Sequence, residues 1–180
     1  MFRSLVIAAL AVGVLGSAAM AADARHPAVQ AFGAITPMPD AKERPDRSLR
    51  YRVLFNITKA APAADQLNPS LEKVARFINL LGADGVRPKP GDVVVIIHGP
   101  ATPLVLSDSR YADRNKVAGN PNLTLVAALR AAGVSVRVCS QALVSNRIDP
   151  ADVAGGIEVD VSALTTLATL QLRGWALIPD

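Results

Sequence analysis

The sequence predicts a three-layer α/β/α domain built on a five-stranded parallel sheet. Three observations carry that expectation. From Tyr51 onward, short β-rich apolar runs alternate with stretches of helical periodicity, the pattern of strands joined by helical crossovers. One run, "DVVVIIHG", is apolar without alternation, as a parallel strand covered on both faces must be. Asn68-Pro69 and Asn120-Pro121 each supply a capping side chain followed by a proline suited to the first helical turn. Right-handed crossovers then place helices on both faces of the sheet.

Each segment can be justified in order. Residues 1–21 hold one positive charge at Arg3, an apolar run from Leu5 to about Ala19, and Ala19-Met20-Ala21. A basic tip, a short apolar core and a small-residue exit define a secretory leader, so the expected location is periplasmic or secreted after cleavage near Ala21. Residues 22–50 carry four prolines and the charged run "DAKERPDRSLR" without periodicity, which reads as an arm that wraps the domain or stays mobile.

The α/β domain is expected over residues 51–180. "YRVLFNI" is the first strand. Leu71, Val74, Ala75, Ile78 and Leu81 repeat at helical spacing until Gly82. "DVVVIIHG" is the second strand. A second helix opens at Asn120-Pro121, with Leu123, Val126, Ala127 and Arg130 on one side and Gly133 ending it. "VSVRVC" is the third strand, followed by a helix from Ser140 to Arg147. "GIEVDV" is the fourth strand, Asp160 the cap of a helix from Val161 to Arg173, and "WALIP" the fifth strand.

Composition excludes several classes. The formal net charge is +4, one less without Arg3, and basic and acidic residues are interspersed. A nucleic-acid or membrane-surface partner calls for a dense basic patch, and the aromatic content is only 4%. After the leader no stretch supplies the roughly 20 apolar residues of a membrane span. With one cysteine and two histidines, His26 and His98, no zinc spacing exists, and no metal or cofactor is implied. A single Cys139 cannot form an internal disulfide. In an exported protein it is buried, bridged to another chain, or reactive.

Ligands of open parallel sheets sit beyond the carboxyl ends of the strands. Those ends are Asn56, His98 and Cys139, and adjacent strands lie about 4.8 Å apart, so an imidazole and a thiol can share one rim. A helix starting at Ser140 would favour the thiolate at its N-terminus. Arg137 is expected on the strand face opposite Val136 and Val138 and is not counted as a partner of the sulfur. Against reactivity stands packing, since free cysteine is among the most buried residue types. His98 can equally be a structural strand-end residue, and Asn56, Ser140 and Gln141 can serve local backbone groups.

The connection Gly99–Asn120 is long for such a domain, which points to a lid, a binding loop or a subunit contact. Tyr111 and Arg114 on it offer a phenol and a cation to an anionic ligand. Other chemistries fail on spacing: there is no Cys-x-x-Cys, no nucleophile elbow, no phosphate loop. A phosphatase-type loop lacks its arginine, because Ala142 to Asn146 contain none. A cysteine hydrolase would need a third, orienting group that no residue provides.

"NPNLTLVAALRAAGVSVRVCSQAL" followed by "GIEVDVSALTTLATLQLRGWALIP", with "VVVIIHGP" and "RYADRN" upstream, resembles the DsrE/DsrF-like proteins, in particular exported members with one domain. The resemblance spans Tyr51 to Pro179. It implies a flavodoxin-like α/β/α fold, homo-oligomers, and, as in the sulfur-relay members, a cysteine that holds sulfur as a persulfide and passes it to a partner protein or small sulfur species. Cys139 then matches the persulfide cysteine and His98 the histidine closing the second strand. Ser140 departs from the glycine common there. The alternative is a non-catalytic small-ligand-binding or assembly module in which Cys139 is structural.

Overall fold

β2 (Val93–Ile97) is the centre of the molecule, and all five of its residues are buried. Its sequence, VVVII, is entirely β-branched, stiff at χ1 and suited to a pleated surface packed on both sides. Around it the computed structural model, which describes residues 24–180, arranges β1 (Val53–Ile57), β3 (Ser135–Cys139), β4 (Glu158–Asp160) and β5 (Ala176–Ile178). The strand order is β4-β3-β2-β1-β5, and every pair is parallel. The expected leader over residues 1–21 lies outside the described residues. Among those described, no helix is long and apolar enough to cross a membrane.

The period-2 alternation of each strand sends its residues to two different layers. Val53, Phe55, Val93, Val95, Val136 and Val138 meet α1 (Pro69–Ala83) and α3 (Leu123–Ala131) on one face. Leu54, Val94, Ile96 and Cys139 face the other way, toward α5 (Ala163–Leu172). α1 begins as expected: the Asn68 side chain accepts from the Ser70 and Leu71 amides, and Pro69 fills the first turn.

Several boundaries differ from the sequence expectation. α1 runs through Gly82 to Ala83, and the left-handed residue that follows is Gly85. α3 starts at Leu123 rather than beside Pro121, because Asn120 spends its amide on the Leu104 and Leu106 carbonyls. Its buried side is Leu125, Val126 and Leu129, so the apolar stripe is displaced from the one expected. α5 is capped by Ser162, whose side chain accepts from the Leu164 amide, not by Asp160. The connection 99–120 contains a 3-10 segment, Gly99–Val105, and a helix, α2 (Asp108–Asn115). Only Tyr111 of α2 is buried, so no apolar stripe announced it.

The segment before β1 packs on α1. Val29 and Ile35 are buried. Asn79, fully buried on α1, accepts from the Ala28 and Val29 amides and donates to the carbonyls of Val29, Phe32 and Gly33. One buried amide thus spends its hydrogen-bonding capacity on the arm. Gly33, at φ +62°, lies so close to the helix that a Cβ there would fall 2.2 Å from the Arg76 backbone nitrogen. At the other end of the chain, Asp180 accepts from the Thr58 and Lys59 amides, 2.9 and 2.7 Å away, and from the Thr58 and Ser70 hydroxyls. That carboxylate fastens the end of β5 to the start of α1.

Candidate functional site

The register of the sheet builds the site. β2 and β3 pair Ile96 with Arg137 and Ile97 with Val138, so the next residues along, His98 and Cys139, are neighbours across the ladder about 4.8 Å apart. Both have extended backbones, and the His98 amide still donates to Ile57. Continuing across, Cys139 is paired with Asp160 of β4. Three chemistry-bearing residues from three strands therefore share one row at the carboxyl rim.

Burial sets the character of this row. Cys139 is 5% exposed and packs with Leu54, Val94, Ile96, Ala163 and Leu170. His98 lies at intermediate burial, and desolvation lowers its pKa below the usual 6.5, which makes the neutral imidazole the resting form. Its Nε2 is 2.7 Å from Asn56 Oδ1. With that oxygen as acceptor, Nε2 carries the proton and Nδ1 keeps a lone pair. The imidazole's hydrogen bond thus goes to Asn56, not to sulfur.

Cys139 occupies the cap position of α4 (Ser140–Ser145) and makes no side-chain capping bond. This helix is two residues shorter than expected, since Arg147 lies beyond it in the left-handed region at φ 54°, and a shorter helix offers less dipole to the sulfur. Ser140 Oγ donates to the Val161 carbonyl at 2.7 Å, and Gln141 Nε2 reaches the same oxygen at 3.5 Å. Both side chains tie α4 to the strand–helix turn before α5.

Arg137 takes the strand face expected of it, and that face is also the cysteine's. A residue two positions from Cys139 on a strand shares its face, so lying opposite Val136 and Val138 puts Arg137 beside the cysteine, not away from it. Its Nη1 is 3.5 Å from Asp160 and its Nε 3.5 Å from Glu158, while Nε also donates to Ser135 Oγ at 2.8 Å. Asp160 accepts from Thr166 Oγ1 at 2.6 Å. Period-2 counting would have found Arg137, and strand register is the signal for Asp160.

Tyr111 and Arg114 sit elsewhere. Tyr111 lines a cavity of about 270 Å³ with the 60–64 loop, Pro100, Leu104 and Asn122, and its hydroxyl donates to the Ala64 carbonyl at 2.8 Å. Burial, with the Asp65 charge, pushes the phenol up. Arg114 donates to the Asn146 carbonyl at 3.0 Å, in a cleft shared with Arg110 and Arg147. His26 belongs to the arm, where its carbonyl accepts from Gln30. No group of three or more His, Cys, Asp or Glu among the described residues could hold a metal ion.

Fold and rim define a class: a three-layer α/β/α protein with an all-parallel five-stranded sheet and a free cysteine beside a neutral imidazole on neighbouring strand ends. The chain belongs to the DsrE/DsrF-like family, whose sequence profile matches residues 50–179. Its fold is shared by a solved protein of unknown function, MTH1491 of Methanobacterium thermoautotrophicum, with a TM-score of 0.55 and 22% identity over 72% of this chain and 99% of that one. No curated protein matches. The family match begins at residue 50, so the arm held by Asn79 precedes the family-wide part.

Proposed function

We propose that this protein binds and relays sulfane sulfur through Cys139. The observation that supports this most is the shared row of His98 and Cys139 on the ends of β2 and β3, a proton acceptor next to a nucleophile. In the step itself the Cys139 thiolate attacks a sulfane sulfur of polysulfide or thiosulfate. The donor's S–S bond breaks, a cysteine persulfide anion forms, and the shortened polysulfide or sulfite leaves with the electron pair. His98 takes the thiol proton at Nδ1, and Asn56 fixes the ring from the other nitrogen. Ser140 and Gln141 hold α4 in place. Because Cys139 is 5% exposed, transfer requires the α4 edge to open, and α4 is a short helix with one buried residue. Tyr111 and Arg114, if they take a ligand, take it in their own clefts.

The test is the intact mass of purified protein after polysulfide or thiosulfate treatment. A gain of one sulfur that vanishes in Cys139→Ser supports the relay. Unchanged mass under conditions where a small thiol reagent does label Cys139 rejects it. Residues 1–21 are, on the same proposal, an export leader removed near Ala21, and the intact mass reads this too.

A second reading has its own support. Cys139 lies among leucine, valine and isoleucine side chains, and α5, ALTTLATLQL, has no charged residue while Leu164 and Leu172 are 77% and 89% exposed. An assembly module, in which Cys139 is packing and α5 faces a second copy, accounts for both. In that case Leu164→Glu breaks the oligomer in light scattering, and Cys139→Ala changes nothing.

A further inference from the structure

The elements around Cys139 carry very few ionisable groups. α4 and α5, the helices beside it, contain no ionisable residue. The 3-10 segment Gly99–Val105 has none either. α3 contributes Arg130, which lies on the other side of the sheet and donates to the Gly155 carbonyl. β2 contributes His98, neutral through burial. That leaves β4, with Asp160 in register with Cys139 and Glu158 one repeat before it, and β3 itself, with Arg137.

A carboxylate on the adjacent strand opposes a second negative charge at the sulfur, since like charges disfavour ionisation. Arg137 is arranged to offset it. Ser135 Oγ accepts from its Nε at 2.8 Å and donates to Glu158 at 2.9 Å, which steers the guanidinium along the strand until Nη1 comes within 3.5 Å of Asp160. Thr166 holds Asp160 from the α5 side. The Arg137 side chain is three-quarters buried, so solvent screens this pair less than an exposed one.

We propose that the Arg137–Asp160 pair sets the charge that Cys139 can bear, with Arg137 a positioning residue that neutralises the carboxylate lying in register with the cysteine. This rests on Cys139 acting as a nucleophile. The pair then works as a setting with two opposed ends: freeing Asp160 of its partner suppresses the thiolate, and neutralising Asp160 releases it.

The experiment is the pH profile of Cys139 modification by methyl methanethiosulfonate, followed by mass, in Arg137→Gln, Arg137→Lys, Asp160→Asn and the Arg137→Gln/Asp160→Asn double variant. Asp160→Asn is expected to move the midpoint to lower pH and raise the rate near neutrality about tenfold. Arg137→Gln moves it to higher pH with a loss of similar size, Arg137→Lys restores most of that loss, and the double variant lies near the parent. Shifts of the same sign in both single variants overturn the proposal, as does a rate change uniform in pH, which reports access instead of charge. Thermal melting of each variant identifies loss of fold. Opposed shifts without any sulfur uptake leave this inference standing and remove the relay. Sulfur uptake with unmoved midpoints does the reverse.

Discussion

The two faces of the sheet are built to different depth. On one, residues of β1, β2 and β3 are covered by α1 and α3, and α1 is covered again by the arm that Asn79 holds. On the other, Leu54, Val94, Ile96 and Cys139 meet α5, whose outward side shows Leu164 and Leu172 to solvent. The deep face carries apolar residues almost throughout. The shallow face carries Asn56, His98, Cys139, Arg137 and Asp160. Apolar packing and polar side chains thus fall on opposite sides of the same sheet, and the side with fewer buried apolar contacts is the one where local opening costs least.

The sharpest contrast comes from the deep face. Leu71 is fully buried there, and Leu71→Ala is expected to cost about 4 kcal/mol in urea unfolding, as lost transfer energy plus a cavity. Next, Asn79→Leu leaves buried arm amides and carbonyls without partners. It should cost about 3 kcal/mol and open the chain to protease near residues 28–36, without touching the rim. A loss below about 1 kcal/mol would mean that the arm adds little to this face.

A smaller effect is tied to pH. Burial alone would raise the Asp180 carboxyl, yet the hydrogen bonds from Ser70, Thr58 and Lys59 outweigh it and hold the pKa at about 2 against a usual 3.8. A lowered carboxylate stabilises the fold fully above pH 3.8 and loses that contribution as pH falls toward 2. Asp180→Asn should therefore destabilise by about 1 kcal/mol near neutrality, after allowance for solvent screening, and the difference from the parent should close at low pH. Smallest of all, Leu172→Ala on the outward side of α5 should change monomer stability by less than about 0.5 kcal/mol. A loss as large as that of Leu71 would erase the contrast between the faces.

The sequence exposed what depends on neighbours along the chain. The strand runs, the Asn68-Pro69 helix start and the unbroken apolar β2 all follow from local propensity and period, and each is where it was expected. What depends on pairing was hidden. Asp160 looked like a helix cap because it directly precedes the expected helix start at Val161, and only the β3–β4 register shows it beside Cys139. Arg137 was set aside although its spacing already placed it on the cysteine's face. α2 escaped notice because a helix held by one buried tyrosine leaves no stripe. Asn79 lies within the expected first helix, but its partners are some 50 positions away, and nothing local marks a long-range clasp.

The position of β5 governs how the molecule is made. β1 sits between β2 and β5, so one edge of the first strand stays open until β5 has been synthesised. Thr58 and Asp180, which close that seam, are 122 positions apart. Joining ends so distant sacrifices chain entropy before any contact rewards it. Completion of this sheet therefore waits for β5, and a nascent chain that has not yet made β5 presents an unpaired strand ready to accept a foreign one.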